Sequence, residues 1–165
     1  MPEHRQGIDA GKRIKGTKRH IATDTLGLLL AVVITAASVQ DTNGGKTVVD
    51  QLAATHPAVT KAWVDSGYKT GFLAHAGEHG IDAEVVTKEP GQKGFKVLPR
   101  RWVVERTFGW FMLHRRLVRD YETRPGHAES MIHWTMIDNM SRRFTRESTQ
   151  TWRIDTGESV IPPVL

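Results

Sequence analysis

Apolar residues are densest in the N-terminal third of the chain. There "KRHIATD" (Lys18–Asp24) leads through "TLG" into the run "LLLAVVITAAS", Leu28 to Ser38. Both segments are rich in β-branched residues, and the short polar break between them suits a turn. The pattern predicts an antiparallel hairpin. After a loop at "QDTNGG" (Gln40–Gly45), Val48, Val49 and Leu52 recur at helical spacing, which predicts a helix over Lys46–Thr55 that Pro57 ends. A strand over Val59–Asp65 stops at Ser66–Gly67. A helix over Thr70–His79 has Gly80 beyond its C-terminus, and "IDAEVVT" (Ile81–Thr87) reads as another strand. Beyond a loop at Lys88–Gly94, one long helix is expected from Pro99 to about Val118. A last helix, His127–Phe144, carries Met131, Ile132, Trp134, Thr135, Met136, Ile137 and Met140 as its apolar face.

Strands that alternate with helices after an opening hairpin predict a mixed α/β sheet covered by helices. This core spans residues 18–144, with an extended basic arm over 1–17 and a mobile polar tail over 145–165. The apolar run from Leu26 to Ala37 is too short to cross a bilayer, and the N-terminus lacks the apolar centre of a secretory signal. A cytoplasmic location without a membrane partner is expected.

Charge narrows the choice of partner. The chain has no cysteine, which excludes disulfides and thiolate metal sites and leaves carboxylates and histidines as ligands. Its 165 residues carry a net charge of +5, and the pI is near 9.7. The excess is clustered. Lys12, Arg13, Lys15, Lys18, Arg19 and His20 fall within ten positions. Arg100, Arg101, Arg106, His114, Arg115, Arg116 and Arg119 form a second group, and Arg142, Arg143 and Arg146 a third. Such clusters suit the phosphates of DNA or RNA, whose neutralisation releases counterions.

Two acids stand out. Asp65 ends a strand, the place where ligands gather in open α/β sheets, although Asp before Ser-Gly is also ordinary turn chemistry. Glu105 shares a helical stripe with Arg101, Gly109, Met112 and Arg116. It is either an i,i+4 partner of Arg101, contributing about 0.2–0.5 kcal/mol, or a ligand to a hard cation. Together the two acids could hold Mg²⁺ for phosphodiester chemistry, with a third acid still needed. The histidines show no HExxH spacing, and His20, His75, His79 and His127 read as surface or turn residues, while Trp102, Trp110 and Trp134 read as core. There is no GxSxG, phosphate loop or dinucleotide fingerprint.

Three stretches, "GIDAGKRIKGTKRHIATDTLGLLLAVVITAASVQD", "AWVDSGY" and "LPRRWVVERTFGWFMLHRRLVRDYE", resemble in order and content the DDE transposases of bacterial insertion sequences. Within that family they are most similar to the IS5 group of the IS4-like superfamily, over most of residues 7–122. The resemblance implies an RNase H-like α/β fold, here lacking its first strand. It implies that Asp65 and Glu105 are the second and third acids of the triad, both ligands of Mg²⁺ or Mn²⁺, and that Arg101 contacts a DNA phosphate. The family's tyrosine and lysine near the glutamate are Leu98 and Met112 here, with His114, Arg115 and Arg116 close by as basic substitutes.

The family's first aspartate lies upstream of the segment matching Gly7–Lys12, and neither Asp9 nor Asp24 takes its place. The expectation is therefore an incomplete catalytic region that catalyses little alone. It is either a decayed remnant or a second reading frame joined to an upstream transposase fragment. Its expected partners are the terminal repeats of an insertion sequence, target DNA and a second copy in a homodimer. Arg101, Arg106 and the basic residues Lys12, Arg13, Lys15, Lys18 and Arg19 would grip DNA backbone. The alternatives are a non-catalytic nucleic-acid-binding protein and an RNase H-like nuclease remnant.

Overall fold

The hairpin lies at the centre of the structure. The computed structural model describes residues 7–68, 70–86 and 99–146. In it β1 (Gly7–Ile8), β2 (Lys15–Thr23) and β3 (Leu29–Ala36) form an antiparallel sheet in that order. α1 (Asp41–Thr55) follows. Then β4 (Lys61–Asp65) and β5 (Asp82–Val86) pair in parallel, and α2 (Thr70–Glu78) makes the crossover between them. α3 (Pro99–Met112), α4 (Arg115–Val118) and α5 (Pro125–Thr145) complete the order. The result is the expected mixed α/β arrangement of antiparallel and parallel strands flanked by helices, compatible with an RNase H-like fold.

β3 feeds two cores, one on each face, because its side chains alternate. Ala31 and Val33 face α1 and α2, where Val48, Val49, Leu52, Phe72, Ala76 and Ile81 close around them. Val32 and Ile34 face the other way, onto Phe111, Leu117, Ile132 and Met136. The register with β2 slips between Ala22 and Thr23, which pairs Thr23 with Leu29 and leaves Leu30 as an extra residue. The bulge inverts the alternation, so Leu29 joins the second core and Leu30 the first. The outer edge of β3 does not run bare: the Ile34 amide donates to Glu129 Oε1 of α5 at 3.0 Å.

The hairpin turn is built by one carboxylate and one glycine. Asp24 Oδ1 accepts from the amides of Leu26 and Leu28 at 2.9 and 2.7 Å. Gly27 has φ of +82°, and a Cβ there would also crowd Thr107 Oγ1 and the Trp110 ring. Thr107 Oγ1 donates to the Gly27 carbonyl at 2.8 Å, so α3 is fastened to the turn.

Several expectations need correction. Gln40–Gly45 is not a loop, because α1 begins at Asp41 and contains Asn43, Gly44 and Gly45. The glycines are there for contact: a Cβ on Gly44 would run into the His20 ring, and one on Gly45 into Tyr68. The single helix over 99–118 is broken at Leu113–His114, where His114 adopts an extended backbone before α4. The arm over 1–17 contains a hairpin from Gly7 onward, with Asp9 capping its turn. Trp102 and Trp134 are not core, being 46% and 66% exposed, and His20 is not a surface or turn residue but is buried in β2. α5 buries only part of the apolar face expected of it, through Ile132, Thr135 and Met136, while Ile137, Met140 and Phe144 are exposed. The loop expected at Lys88–Gly94 and residues 147–165 of the tail lie outside the described residues.

Candidate active site at the end of strand β4

Asp65 is the last residue of β4 and is exposed. Its Oδ1 accepts hydrogen bonds from the Ser66 amide at 2.6 Å and the Ser66 hydroxyl at 3.1 Å. These bonds give Asp65 the turn role and fix its carboxylate at the strand end. The turn closes with the Tyr68 amide on the Asp65 carbonyl at 3.0 Å. The Tyr68 ring packs on Phe72 with centroids 4.8 Å apart. Burial raises the Tyr68 phenol above its ordinary value, and the negative charges of Asp41 and Asp65 push it further the same way. Both carboxylates therefore act on this one phenol.

Asp41 is the first residue of α1. Its Oδ1 meets Lys18 Nζ at 3.0 Å, and Asp9 Oδ2 meets the same ammonium at 3.4 Å. Lys18 also donates to the Val39 carbonyl at 2.9 Å. Burial pulls the Lys18 ammonium down, but its bonds and attraction to Asp41 and then Asp9 outweigh this and hold it above the usual value. Asp9, Lys18, Asp41 and Gly67 thus line one shallow depression beside the end of β4.

Glu105 is exposed on α3, on the same outward stripe as the exposed Gly109 and Met112. Arg101 lies one turn earlier in α3. The helix packs against β4 and β2, so Asp65 and Glu105 sit on elements in direct contact. In donor chemistry the pair suits a hard divalent cation, since both offer only oxygen. In number it falls short. Among the described residues, no group of three histidines and acids includes either one. Asp9 and Asp24 are committed to turns. Asp9 Oδ1 accepts from the amides of Gly11 and Lys12 at 2.8 and 2.9 Å. The Lys12 amide is the main reason its carboxyl lies below the usual value; slight burial opposes, and Gly11 and Lys18 reinforce it.

The basic residues divide into two kinds. Some are held by the fold. Arg19 Nη1 donates to the Leu117 carbonyl at 2.9 Å, and burial lowers its guanidinium against the pull of Asp120. Arg106 Nη2 donates to the Leu26 carbonyl at 2.9 Å, and its guanidinium lies 5.1 Å from the Trp110 ring centre. Arg143 lies over that ring at 4.1 Å. His114 approaches Asp138 at 3.7 Å. Others face solvent. Lys12, Arg13 and Lys15 are exposed around the β1–β2 turn. Arg115 and Arg116 line an open depression with Tyr121, although Arg116 Nε also meets Glu122 at 2.7 Å.

Reading the chain from residue types alone passes over Tyr68, three residues beyond Asp65, and Asp41, which joins them only through folding. Tyr68 is within reach in "DSGY", but Asp41 is hidden in a stretch that looks like a loop. His75 and His79 are passed over too. Their spacing of four is visible in "HAGEH", yet their partner Asp50 lies on α1.

The family described as "Transposase DDE domain" matches residues 1–140. A protein of Burkholderia cepacia, designated as a transposase for insertion sequence element IS402, is 32% identical over 117 residues, covering 66% of this chain. The chain spans about half the length of that relative, 55%. No solved structure matches it. With the family's domain recognised over most of its length, and with an acid at the end of β4 and another on the helix packed against that strand, the chain belongs to the DDE transposase domain family.

Proposed function

We propose that this chain is the catalytic region of a DNA transposase that cleaves at the ends of an insertion sequence and joins the freed strand to target DNA. Asp65 and Glu105 would hold Mg²⁺ or Mn²⁺, with a third carboxylate supplied by a further transposase segment. The bound ions supply activation of a water or 3′-hydroxyl and stabilisation of the leaving oxygen. The observation that carries this reading is the packing of α3, which bears Glu105, against β4, which ends in Asp65.

The other parts of the site act on the substrate. Ser66 orients the Asp65 carboxylate through its two hydrogen bonds. Lys12, Arg13 and Lys15 at one turn, and Arg115 and Arg116 beside Tyr121, are the exposed cations that would track the phosphate backbone, with Arg101 next to the reacting phosphate. Lys18, Arg19 and Arg106 support the fold before they serve DNA, because each donates to a backbone carbonyl. His114 Nε2 lies 3.7 Å from Asp138 Oδ2 of α5.

The segment carrying the third acid has a natural entry. Among the described residues β4 pairs only with β5, and β2 beyond Gly16 pairs only with β3, so each keeps an open edge. Both strands pack on α3. A strand added there would bring its carboxylate beside Asp65, in the manner of strand addition to a sheet edge. Action on DNA as a homodimer in the cytoplasm fits this reading. Among the described residues no helix is long and apolar enough to cross a membrane.

The test joins the chain to its upstream segment and measures cleavage and strand transfer on DNA bearing the element's ends, with Mg²⁺ or Mn²⁺. Asp65→Ala and Glu105→Ala should each abolish both steps while leaving salt-dependent DNA binding. Retained strand transfer in either variant overturns the assignment. Cleavage of any duplex or hybrid without preference for the ends would instead identify a nuclease.

A further inference from the structure

We propose a second metal site, for a borderline transition ion of the Zn²⁺ class, formed by Asp50 of α1 with His75 of α2 and His79 in the turn just beyond it. It is separate from the oxygen-only pair of Asp65 and Glu105 and does not depend on the transposase reading. The inference starts from spacing. His75 lies in the last turn of α2, and His79 follows in the turn that continues from its end, where its amide donates to the Ala76 carbonyl at 3.1 Å, so both imidazoles reach the same carboxylate. α1 and α2 run in the same direction: Gly45 lies beside Tyr68 and Phe72, and Asp50 beside His75 and His79. A single carboxylate of α1 therefore meets both rings.

The distances are those of a converged donor set. Asp50 Oδ1 is 2.6 Å from His75 Nε2 and 3.0 Å from His79 Nε2. The three donor atoms lie within 4.8 Å of one another. Zinc bonds to nitrogen and carboxylate oxygen at about 2.0–2.2 Å. Ligands around a tetrahedral ion thus stand roughly 3.3–3.5 Å apart. A retreat of the Asp50 carboxylate by well under an ångström, with the metal taking the place of the shared hydrogens, would make the site. The carboxylate is half exposed and free to make this move, at 52% of its side-chain surface.

The surroundings favour a metal over a plain ion pair. The two rings meet edge to face with centroids 5.0 Å apart, and both Nε2 atoms face the one Asp50 oxygen. Glu78 Oε2 lies 3.7 Å from His75 Nδ1, on the far side of that ring, where an acid orients a metal-bound imidazole and raises its basicity. Two nitrogens and one oxygen suit Zn²⁺, Co²⁺ or Ni²⁺ and not Mg²⁺. Three protein ligands leave the fourth position to water. The effect is a clamp between α1, which begins at Asp41, and α2, which follows Tyr68, so the ion would brace the two helices that frame the end of β4.

The experiment uses the full chain, purified without a histidine tag and freed of metal by chelation. Co²⁺ is added and followed by visible absorption, and Zn²⁺ is titrated by calorimetry with excess Mg²⁺ present. The expected result is one equivalent of Zn²⁺, intense tetrahedral Co²⁺ bands and a raised thermal midpoint. His79→Ala and His75→Ala should each weaken binding by at least about tenfold. Asp65→Asn should leave it unchanged. His79 is exposed, so its variant retains the fold, which circular dichroism checks. Zn²⁺ binding of equal strength in His79→Ala, or Co²⁺ that keeps only weak octahedral bands, overturns the proposal.

Discussion

β3 is covered on both faces, and the two covers differ in kind. On the side of α1 and α2 the packing is close: Ala31, Val48, Val49, Leu52 and Ala76 surround Phe72 and Ile81, with Gly44 and Gly45 letting helix backbone touch the rings of His20 and Tyr68. On the side of α3, α4 and α5, Phe111 and Ile132 are fully buried. The same helices turn Trp102, Trp134, Ile137 and Phe144 outward. The first side is finished within the described residues. The second buries one half of its apolar helices and displays the other, so apolar content alone does not locate its core.

That contrast can be broken in order of effect. The largest change should come from Ile132→Ala, which empties the middle of the second core and should cost about 2–5 kcal/mol in denaturant unfolding. Next is Gly44→Ala on the first side. Its Cβ has nowhere to go but the His20 ring, so about 1–3 kcal/mol should be lost, although the same change in an open helix would stabilise.

His20 gives a smaller, pH-dependent effect. It is 5% exposed, and burial lowers its imidazole below the ordinary value, with Asp41 opposing and Lys18 adding. The unfolded chain therefore takes up the proton first. The stability belonging to neutral His20 is full above about pH 6.5 and is lost as pH falls from there through the folded value. The slope should not exceed about 1.4 kcal/mol per pH unit, and His20→Gln should flatten it in unfolding measured between about pH 7.5 and 5.5. Smallest of all should be Phe144→Ala. At 91% exposure it should shift stability by no more than about 0.5 kcal/mol, and a larger loss would show that the displayed face is covered after all.

What could be read from residues alone follows the same division. The β2–β3 hairpin was plain because β-branched runs, Asp24 and Gly27 all agree locally. The family signature marked Asp65 and Glu105 by their neighbours in sequence. The start of α1 was hidden because "NGG" favours turns, and the His20 ring that leaves room only for glycine at position 44 is far off in sequence. The break at Leu113–His114 carries no glycine or proline to announce it. Trp102 and Trp134 misled because periodicity says which residues share a face, not which way that face points. Asp50, His75 and His79 needed two helices side by side before they became a group.

The glycine pair in α1 also bears on the order in which the molecule assembles. Each glycine weakens a helix by about 1 kcal/mol relative to alanine, so the first turns of α1 are poor at starting themselves. They gain support only when the His20 ring is already in position, and that requires β2 to be paired with β3. In a refolding time course read by hydrogen exchange, the amides of β2 and β3 should become protected before those of residues 44–47. The hairpin is the template and the helix its late arrival.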